Sequence, residues 1–164
     1  MKTSELIKAV RFGRSIPEDY LLSRSIRSDF QHYASVKGHL GTITRAIFDR
    51  TGEYLITTGE DSKIKLWDVK QCLLYFSFPE CNSFVLDMDI SFDNQYLAVG
   101  TVYEELIIYS LQNGQKIKIF KPFKDESVTS VMFSSYFELD SRFLIVIANG
   151  IIFYQFNPIN FDVL

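Results

Sequence analysis

Few side chains in this sequence have both the type and the spacing that catalysis needs. Asp87 and Asp89 lie two residues apart, so on a β-strand they would share one face. Paired carboxylates can do acid–base chemistry. Leu86, Met88 and Ile90 alternate with them, which favours a strand with one buried apolar face and one solvated polar face. We therefore expect the two aspartates to be surface residues and not a catalytic pair.

Other reactive side chains are isolated in the sequence. Cys72 and Cys81 make no disulfide framework, and with only His32 and His39 they make no zinc-ligand cluster. Ser134 has no histidine–acid partner that can be read from the sequence, and no glycine-rich phosphate loop occurs. The sequence therefore predicts no enzyme, no metal and no cofactor. The two cysteines favour a reducing, intracellular compartment.

The elements that would position these residues are strands. From residue 40 onward, apolar and polar residues alternate without helical periodicity. Turn sequences such as Asn113-Gly114, which favours tight hairpins, separate the alternating runs. The predicted strands cover residues 42–48, 53–58, 63–68, 72–78, 84–92, 96–101, 105–110, 115–120, 127–133, 142–148 and 151–156.

The strands repeat along the chain. Tyr54-Leu55 recurs as Tyr96-Leu97 in the next group of strands. An aromatic residue near the end of the third strand recurs at nearly even intervals, as Trp67, Tyr109 and Tyr154. A third series is Phe48-Asp49, Phe92-Asp93 and Phe133-Ser134. Repeats with a period of about 40–45 residues, rich in Val, Ile, Phe and Tyr, are typical of a stack of four-stranded sheets.

The first repeat resembles one blade of the WD40 family. Gly38-His39 opens it and Trp67-Asp68 closes it. In that family a histidine, a hydroxyl residue, an aspartate and the tryptophan form a buried hydrogen-bond chain. The matching residues here are His39, Thr57, Asp61 and Trp67. Such a chain satisfies buried polar groups, because the indole N–H needs an acceptor, the carboxylate needs donors and the imidazole supplies one of each. The resemblance implies a structural chain and not acid–base chemistry.

We therefore predict an all-β fold, a WD40 β-propeller fragment of about three four-stranded antiparallel blades, with a short helical segment before it. The blades cover residues 38–80, 81–122 and 123–164, and residues 1–37 form the N-terminal segment. A proline near Ser15 and apolar residues at spacing four predict a helix there, in a linker or a partner-binding arm. Closed propellers have about 4–8 blades, so we expect the remaining blades in a longer parent chain. The alternatives are assembly with a second chain or closure by another copy of this chain.

Charge is uneven along the sequence. Residues 1–37 carry seven Lys/Arg against four Asp/Glu, and the rest carries ten against sixteen, which gives +3 and −6. The acidic part suits basic partners such as histone-like tails, and nothing suggests direct nucleic-acid binding. No apolar run is long enough for a transmembrane helix, and the N-terminus does not resemble a secretory signal.

A closer resemblance is to the first blades of the bromodomain-and-WD-repeat proteins. It rests on Gly38-His39-Leu40, Arg45-Ala46-Ile47, the turn at residues 48–52 and the strand at residues 127–134, and it covers residues 20–158. The resemblance implies a nuclear, chromatin-associated regulator whose propeller recruits partners. Members carry bromodomains far downstream, so acetyl-lysine binding is assigned to no residue of this chain.

The expected function is that of a non-catalytic protein-interaction scaffold in chromatin or transcription regulation. The alternative is a WD40 adaptor, either a cullin-4 ubiquitin-ligase substrate receptor or a subunit of an RNA-processing assembly. Trp67-Asp68-Val69-Lys70 loosely fits the pattern of such receptors and makes Asp68 and Lys70 candidates for adaptor binding. Loop residues carry binding in this kind of fold. The candidate partner-binding positions on loops are Leu40, Gly41, Ser83 and Ser127.

Overall fold

A computed structural model describes residues 32–81, 83–134 and 143–155. Within these ranges every regular element is a strand, and the strands are β1 (Ile43–Phe48), β2 (Tyr54–Gly59), β3 (Ile64–Asp68), β4 (Leu73–Ser77), β5 (Val85–Ile90), β6 (Tyr96–Thr101), β7 (Leu106–Ser110), β8 (Lys116–Phe120), β9 (Ser130–Phe133), β10 (Phe143–Ile147) and β11 (Ile151–Gln155). The prediction of an all-β chain is confirmed for the described residues.

The strands form three antiparallel sheets. The first sheet has the order β1-β2-β3-β4, the second β5-β6-β7-β8, and the third, which has three strands in the described residues, β9-β10-β11. Two sheets therefore have the predicted four strands. The sheets lie within one compact unit, Ser35–Leu164, and the domain boundaries remain predictions.

Little of the predicted N-terminal helical segment can be assessed. The predicted helix begins near Ser15, and residues 1–31 lie outside the described residues. Residues 32–37 are described and contain neither helix nor strand. The helical part of the fold prediction therefore stays a prediction.

The second sheet repeats the first, down to its irregularities. A β-bulge interrupts the pairing at Ile43/Arg45 in β1 and at Val85/Asp87 in β5. A second pair of bulges lies opposite Leu66/Trp67 and Ile108/Tyr109. Because bulges bend and twist a strand at a fixed place, matched bulges give the two sheets the same curvature.

The turn that joins the first two strands of each sheet corrects one predicted alignment. Asp49 accepts a hydrogen bond from the Tyr54 N–H at 2.9 Å, and Ser91 accepts one from the Tyr96 N–H at 2.9 Å. Ser91, and not Asp93, is therefore the equivalent of Asp49. The sequence match of Phe48-Asp49 with Phe92-Asp93 was two residues out of register, because the same short motif lies at different places in the two turns.

Apolar side chains fill the two spaces between the sheets. Ile56 and Leu66 of the first sheet pack with Met88, Leu97 and Tyr109 of the second. On its other face, the second sheet packs against the third through a cluster of buried residues: Ala98, Leu106, Ile108, Val128, Val131, Phe133, Leu144 and Val146. The first strands of the sheets adjoin one another, since β1 lies against β5 and β5 against β9. This is the side-by-side arrangement of propeller blades.

Candidate functional site

The structure brings together the four side chains of the expected hydrogen-bond chain. The Trp67 indole Nε1 donates to the Thr57 hydroxyl at 2.8 Å. The Thr57 hydroxyl is 2.8 Å from His39 Nε2, and His39 Nδ1 is 2.8 Å from an Asp61 carboxylate oxygen. Thr57 lies on β2 and Trp67 on β3, whereas His39 and Asp61 lie on the connections at one end of the first sheet.

The chemistry of the groups limits the directions of these hydrogen bonds. The indole N–H can only donate, so the Thr57 oxygen accepts from it and can direct its own hydrogen to His39 Nε2. Because the Asp61 carboxylate can only accept, His39 donates to it from Nδ1. Every polar atom of the chain has a partner in this arrangement, as buried polar groups require.

The chain also holds the connection that precedes β1. Asp61 accepts the Leu40 N–H at 3.0 Å and the Lys63 N–H at 3.3 Å. Burial alone would raise the pKa of Asp61, but the hydrogen bonds from Leu40, His39 and Lys63 lower it below the ordinary value. The ionised carboxylate therefore ties two loops together at the end of the sheet.

Solvent does not reach the imidazole. The His39 side chain has 0% of its surface exposed, and that of Asp61 has 7%. A general base must come within hydrogen-bond reach of a substrate proton, and both ring nitrogens of His39 already face protein atoms. The imidazole of His39 therefore supports the loops and has no ring nitrogen free for a substrate.

Two glycines allow the rings to approach the backbone. A Cβ at Gly38 would lie 2.9 Å from the Trp67 ring, and a Cβ at Gly59 would lie 2.9 Å from the His39 ring. Real Cβ atoms essentially never come so close to another atom. Both positions therefore require glycine, which has no side chain. Gly38 and Gly59 therefore belong to the support of the hydrogen-bond chain.

The second sheet has no such chain at the equivalent positions. Cys81 stands for His39, Val99 for Thr57 and Tyr109 for Trp67, each one repeat later in the sequence. The Cys81 thiol donates to the Ser83 carbonyl at 3.2 Å, and the Tyr109 hydroxyl donates to the Pro79 carbonyl at 3.1 Å. Burial raises the pKa of both groups. The second sheet is thus held by apolar packing where the first uses a polar chain.

Asp87 and Asp89 connect neighbouring sheets. The prediction that both lie on a solvated face was wrong for Asp87, which is only 6% exposed. Asp87 accepts the Val131 N–H at 3.1 Å and the Ser130 hydroxyl at 2.7 Å. Its other oxygen lies 2.7 Å from the Arg45 guanidinium. The bulge at Val85/Asp87 breaks the simple alternation.

Asp89 makes the second connection. It accepts the Phe133 N–H of β9 at 2.7 Å and lies 3.3 Å from the Arg50 guanidinium. Both aspartates thus accept backbone N–H groups of β9 from a neighbouring sheet and face arginines of the first repeat. Their carboxylates therefore join the repeats.

The candidate partner-binding residues on loops lie just before the first strand of each sheet. Leu40 and Gly41 precede β1, Ser83 precedes β5 and Ser127 precedes β9. Leu40 is 78% exposed, whereas Ser83 is 3% exposed and its hydroxyl accepts the Tyr103 N–H at 3.3 Å. The Ser127 hydroxyl donates to the Val102 carbonyl at 2.9 Å. Of these positions, Leu40 and Gly41 present the most accessible surface to a partner.

Asp68 and Lys70 lie apart from those loops, since Asp68 ends β3 and Lys70 lies on the turn between β3 and β4. One Asp68 oxygen accepts the Gln71 N–H at 2.6 Å, which holds the turn. Lys70 is exposed. The pair is therefore available at a different part of the first sheet from Leu40.

A pocket between the first and second sheets was not predicted. This inter-sheet pocket has a volume of about 440 Å³ and is lined by residues that include Asp49, Tyr54, Tyr75, Asn94, Gln95 and Leu111. Its lining comes from two different repeats, and Tyr75 turns toward it at a β-bulge. Neither feature leaves a periodic signal in the sequence.

The described ranges contain neither a metal-ligand cluster nor a helix that could span a membrane. No group of three or more His, Cys, Asp or Glu residues there could hold a metal ion. In the same ranges, no helix has the length and apolarity to cross a bilayer.

Comparison with known proteins identifies the first repeat. Residues 30–68 match the WD40 family, described as WD domain, G-beta repeat. A bromodomain and WD repeat-containing protein of Dictyostelium discoideum is 26% identical over 128 residues, which is 75% of this chain and 6% of that protein. A WD repeat domain-containing protein 83 homolog of the same organism is 27% identical over 96 residues, covering 58% of this chain and 29% of the relative.

The chain is also similar to proteins with other descriptions. Mitochondrial division protein 1 of Eremothecium gossypii is 27% identical over 96 residues, covering 54% of this chain and 13% of that protein. The chain thus spans less than a third of the length of each of these curated relatives. The solved structures of U3-55K and of the RRP9 WD40 repeats each have a TM-score of 0.66 and 22% identity, covering 78% of this chain and 39% of theirs.

These similarities agree with the sheets and the hydrogen-bond chain. Arrays of WD40 repeats indicate protein-interaction scaffolds, and the propeller fold is generally not catalytic. Residues 30–68 therefore match a WD40 repeat that ends at Trp67-Asp68, and two further antiparallel sheets follow it. The chain as a whole resembles bromodomain-and-WD-repeat proteins at low identity.

Proposed function

We propose that this chain is part of a non-catalytic, nuclear protein-interaction scaffold that serves chromatin or transcription regulation. The observation that carries the proposal is the position of Leu40. This large apolar side chain is 78% exposed, yet its backbone N–H is held by Asp61 at 3.0 Å. A binding residue that is already held in place loses less entropy when a partner docks.

The net charge of the chain and its similarity to a bromodomain and WD repeat-containing protein both favour a basic protein segment as the partner. The chain from residue 38 onward has a net charge of −6, with ten Lys/Arg against sixteen Asp/Glu. A complementary basic partner would be attracted to it before contact. Histone tails are basic, and the relative from Dictyostelium discoideum is described as a bromodomain and WD repeat-containing protein. These two points support a chromatin partner.

A ligase adaptor is the second candidate, and one observation favours it. The sequence Trp67-Asp68-Val69-Lys70 lies at the end of β3, with Asp68 fixed by the Gln71 N–H and Lys70 exposed. This surface is distinct from the Leu40 loop, so the two proposals assign binding to different residues. Within the described ranges, no particular residue supports a role in RNA processing, the other alternative from the sequence.

The test compares Leu40→Ala, Lys70→Ala and Ile119→Ala in the full chain. Ile119 lies on β8, is 49% exposed, and serves as a surface control. Binding of histone-tail peptides and of a purified cullin-4 adaptor would be measured by calorimetry. We expect histone peptides to bind, and Leu40→Ala to weaken binding by about tenfold, the effect of losing an interface anchor. Adaptor binding that depends on Lys70, without histone binding, would favour the second candidate instead.

A further inference from the structure

The inter-sheet pocket is lined by core side chains and by two tyrosines. Ile56 and Leu66 form apolar lining. The ring centroids of Tyr54 and Tyr75 are 5.2 Å apart and the rings are tilted by 55°. Tyr75 is 66% exposed, so one of its faces remains open to a ligand. The volume of about 440 Å³ falls in the range of small-ligand pockets.

A β-bulge turns Tyr75 toward the pocket. Trp67 pairs with Leu74 and Leu66 pairs with Phe76, so Tyr75 is the extra residue of β4. Bulges re-aim a side chain in this way. The turn of the second sheet lies close to β4, because a Cβ at Gly114 would be 2.1 Å from the Phe76 ring.

The charges around the pocket are negative. Asp49 lines it, and burial, the neighbouring Tyr75 and the carboxylates of Asp68, Glu53 and Asp49 raise the pKa of the Tyr54 hydroxyl. Arg50 follows Asp49 in the sequence, but its guanidinium is directed to Asp89 and to the Ile90 carbonyl. A cation entering the pocket would therefore meet aromatic faces and acidic groups.

The hydrogen bonds of Asp49 are already made. Its oxygens accept the Thr51 N–H at 3.2 Å, the Thr51 hydroxyl at 2.5 Å, the Tyr54 N–H at 2.9 Å and the Asn94 side-chain amide at 2.9 Å. The carboxylate supplies charge but little remaining acceptor capacity. The best ligand is therefore a cation that needs few hydrogen bonds, which describes a methylated ammonium better than a free one.

The equivalent positions between the second and third sheets lack these features. The residues that correspond to Asp49, Tyr54 and Tyr75 in the next repeat are Ser91, Tyr96 and Ile117. Tyr96 and Ile117 pack against the apolar cluster between those sheets. At the equivalent positions, Ser91 thus replaces the carboxylate of Asp49, and Ile117 replaces the second tyrosine.

We propose that the inter-sheet pocket binds the methylated ammonium of a lysine side chain on a basic segment of a partner protein. The inference rests on the proposed function, since it names what part of the partner is recognised. The ring faces of Tyr54 and Tyr75 attract the cation, and Asp49 supplies the nearby negative charge. The aliphatic stem of the lysine contacts the apolar lining.

The experiment uses small probes, so that it does not depend on the identity of the partner. Backbone amide NMR spectra of the full chain would be recorded during titration with Nα-acetyl-Nε-trimethyllysine amide. The uncharged isostere, Nα-acetyl-norleucine amide, is the matched probe. We expect shifts at Tyr54, Tyr75, Gln95 and Leu111, and an affinity about tenfold higher for the charged probe. Phosphocholine should bind more weakly, because its phosphate would approach the acidic groups.

Variants then locate the site. Tyr75→Ala should abolish the difference between the charged and uncharged probes, and Ile117→Ala, at the equivalent bulge of β8, should preserve it. Equal affinity for both probes, shifts elsewhere in the chain, or equal losses in the two variants would overturn the proposal. Equal binding of phosphocholine would assign the pocket to a lipid headgroup instead of a lysine. Because Leu40 plays no part in this assay, failure here leaves the histone-binding test unaffected.

Discussion

Replacing Thr57 by valine tests the hydrogen-bond chain with almost no change in side-chain volume. The substitution removes the oxygen that accepts from Trp67 Nε1 and contacts His39 Nε2, both at 2.8 Å. The second sheet already has a valine, Val99, at the equivalent position, where it is fully buried. The valine side chain is therefore compatible with this place in the strand, and the effect should come from the lost hydrogen bonds.

The expected loss of stability follows from the groups left without partners. An unsatisfied buried polar group costs about 1–3 kcal/mol. The His39 side chain is fully buried, whereas Trp67 is half-buried, so water can reach part of its surroundings. We therefore expect Thr57→Val to lower the free energy of unfolding by about 2–3 kcal/mol. For a unit of this size, that lowers Tm by roughly 10 °C.

Urea unfolding followed by Trp67 fluorescence and by circular dichroism measures this difference. Thr58→Val is the matched control, because Thr58 is its buried neighbour and its hydroxyl bonds only the Thr44 hydroxyl, at 2.7 Å. Thr58→Val should lower the free energy of unfolding by about 1 kcal/mol. If Thr57→Val proves no more destabilising than Thr58→Val, the chain does not stabilise the first sheet as we have argued.

The remaining predictions concern pH and close packing. Hydrogen bonds from Leu40, His39 and Lys63 outweigh burial, so the folded pKa of Asp61 lies below its ordinary value of 3.8. The stability that Asp61 contributes is therefore present above about pH 4. It is lost as the pH falls through the folded pKa. Asp61→Asn should therefore be less stable at neutral pH and show a shallower loss between about pH 5 and 2 in urea unfolding; an unchanged pH slope would contradict this. Gly38→Ala should lower the free energy of unfolding by about 1–3 kcal/mol, because its Cβ would lie 2.9 Å from the Trp67 ring. Gly150→Ala should leave thermal unfolding nearly unchanged, because its Cβ would lie 3.6 Å from Phe123. Equal effects of the two alanines would refute the packing argument.

Some features followed from the sequence because they depend on short distances along the chain. Alternation and turn residues are local, and they predicted the strands and the recurrence of Tyr54-Leu55 as Tyr96-Leu97. The residues from His39 to Trp67 belong to one repeat. Their resemblance to a WD40 blade named the four members of a chain that the structure shows within hydrogen-bond distance.

Only the tertiary structure decided what happens between repeats. Asp87 reaches Arg45 and Val131, which belong to the repeats before and after its own, and no periodicity within one strand indicates such partners. The inter-sheet pocket likewise needs a bulge at Tyr75 and the placing of one sheet against the next. Side chains at sheet interfaces are fixed by how whole surfaces pack, and packing depends on three-dimensional shape more than on the local pattern of residues.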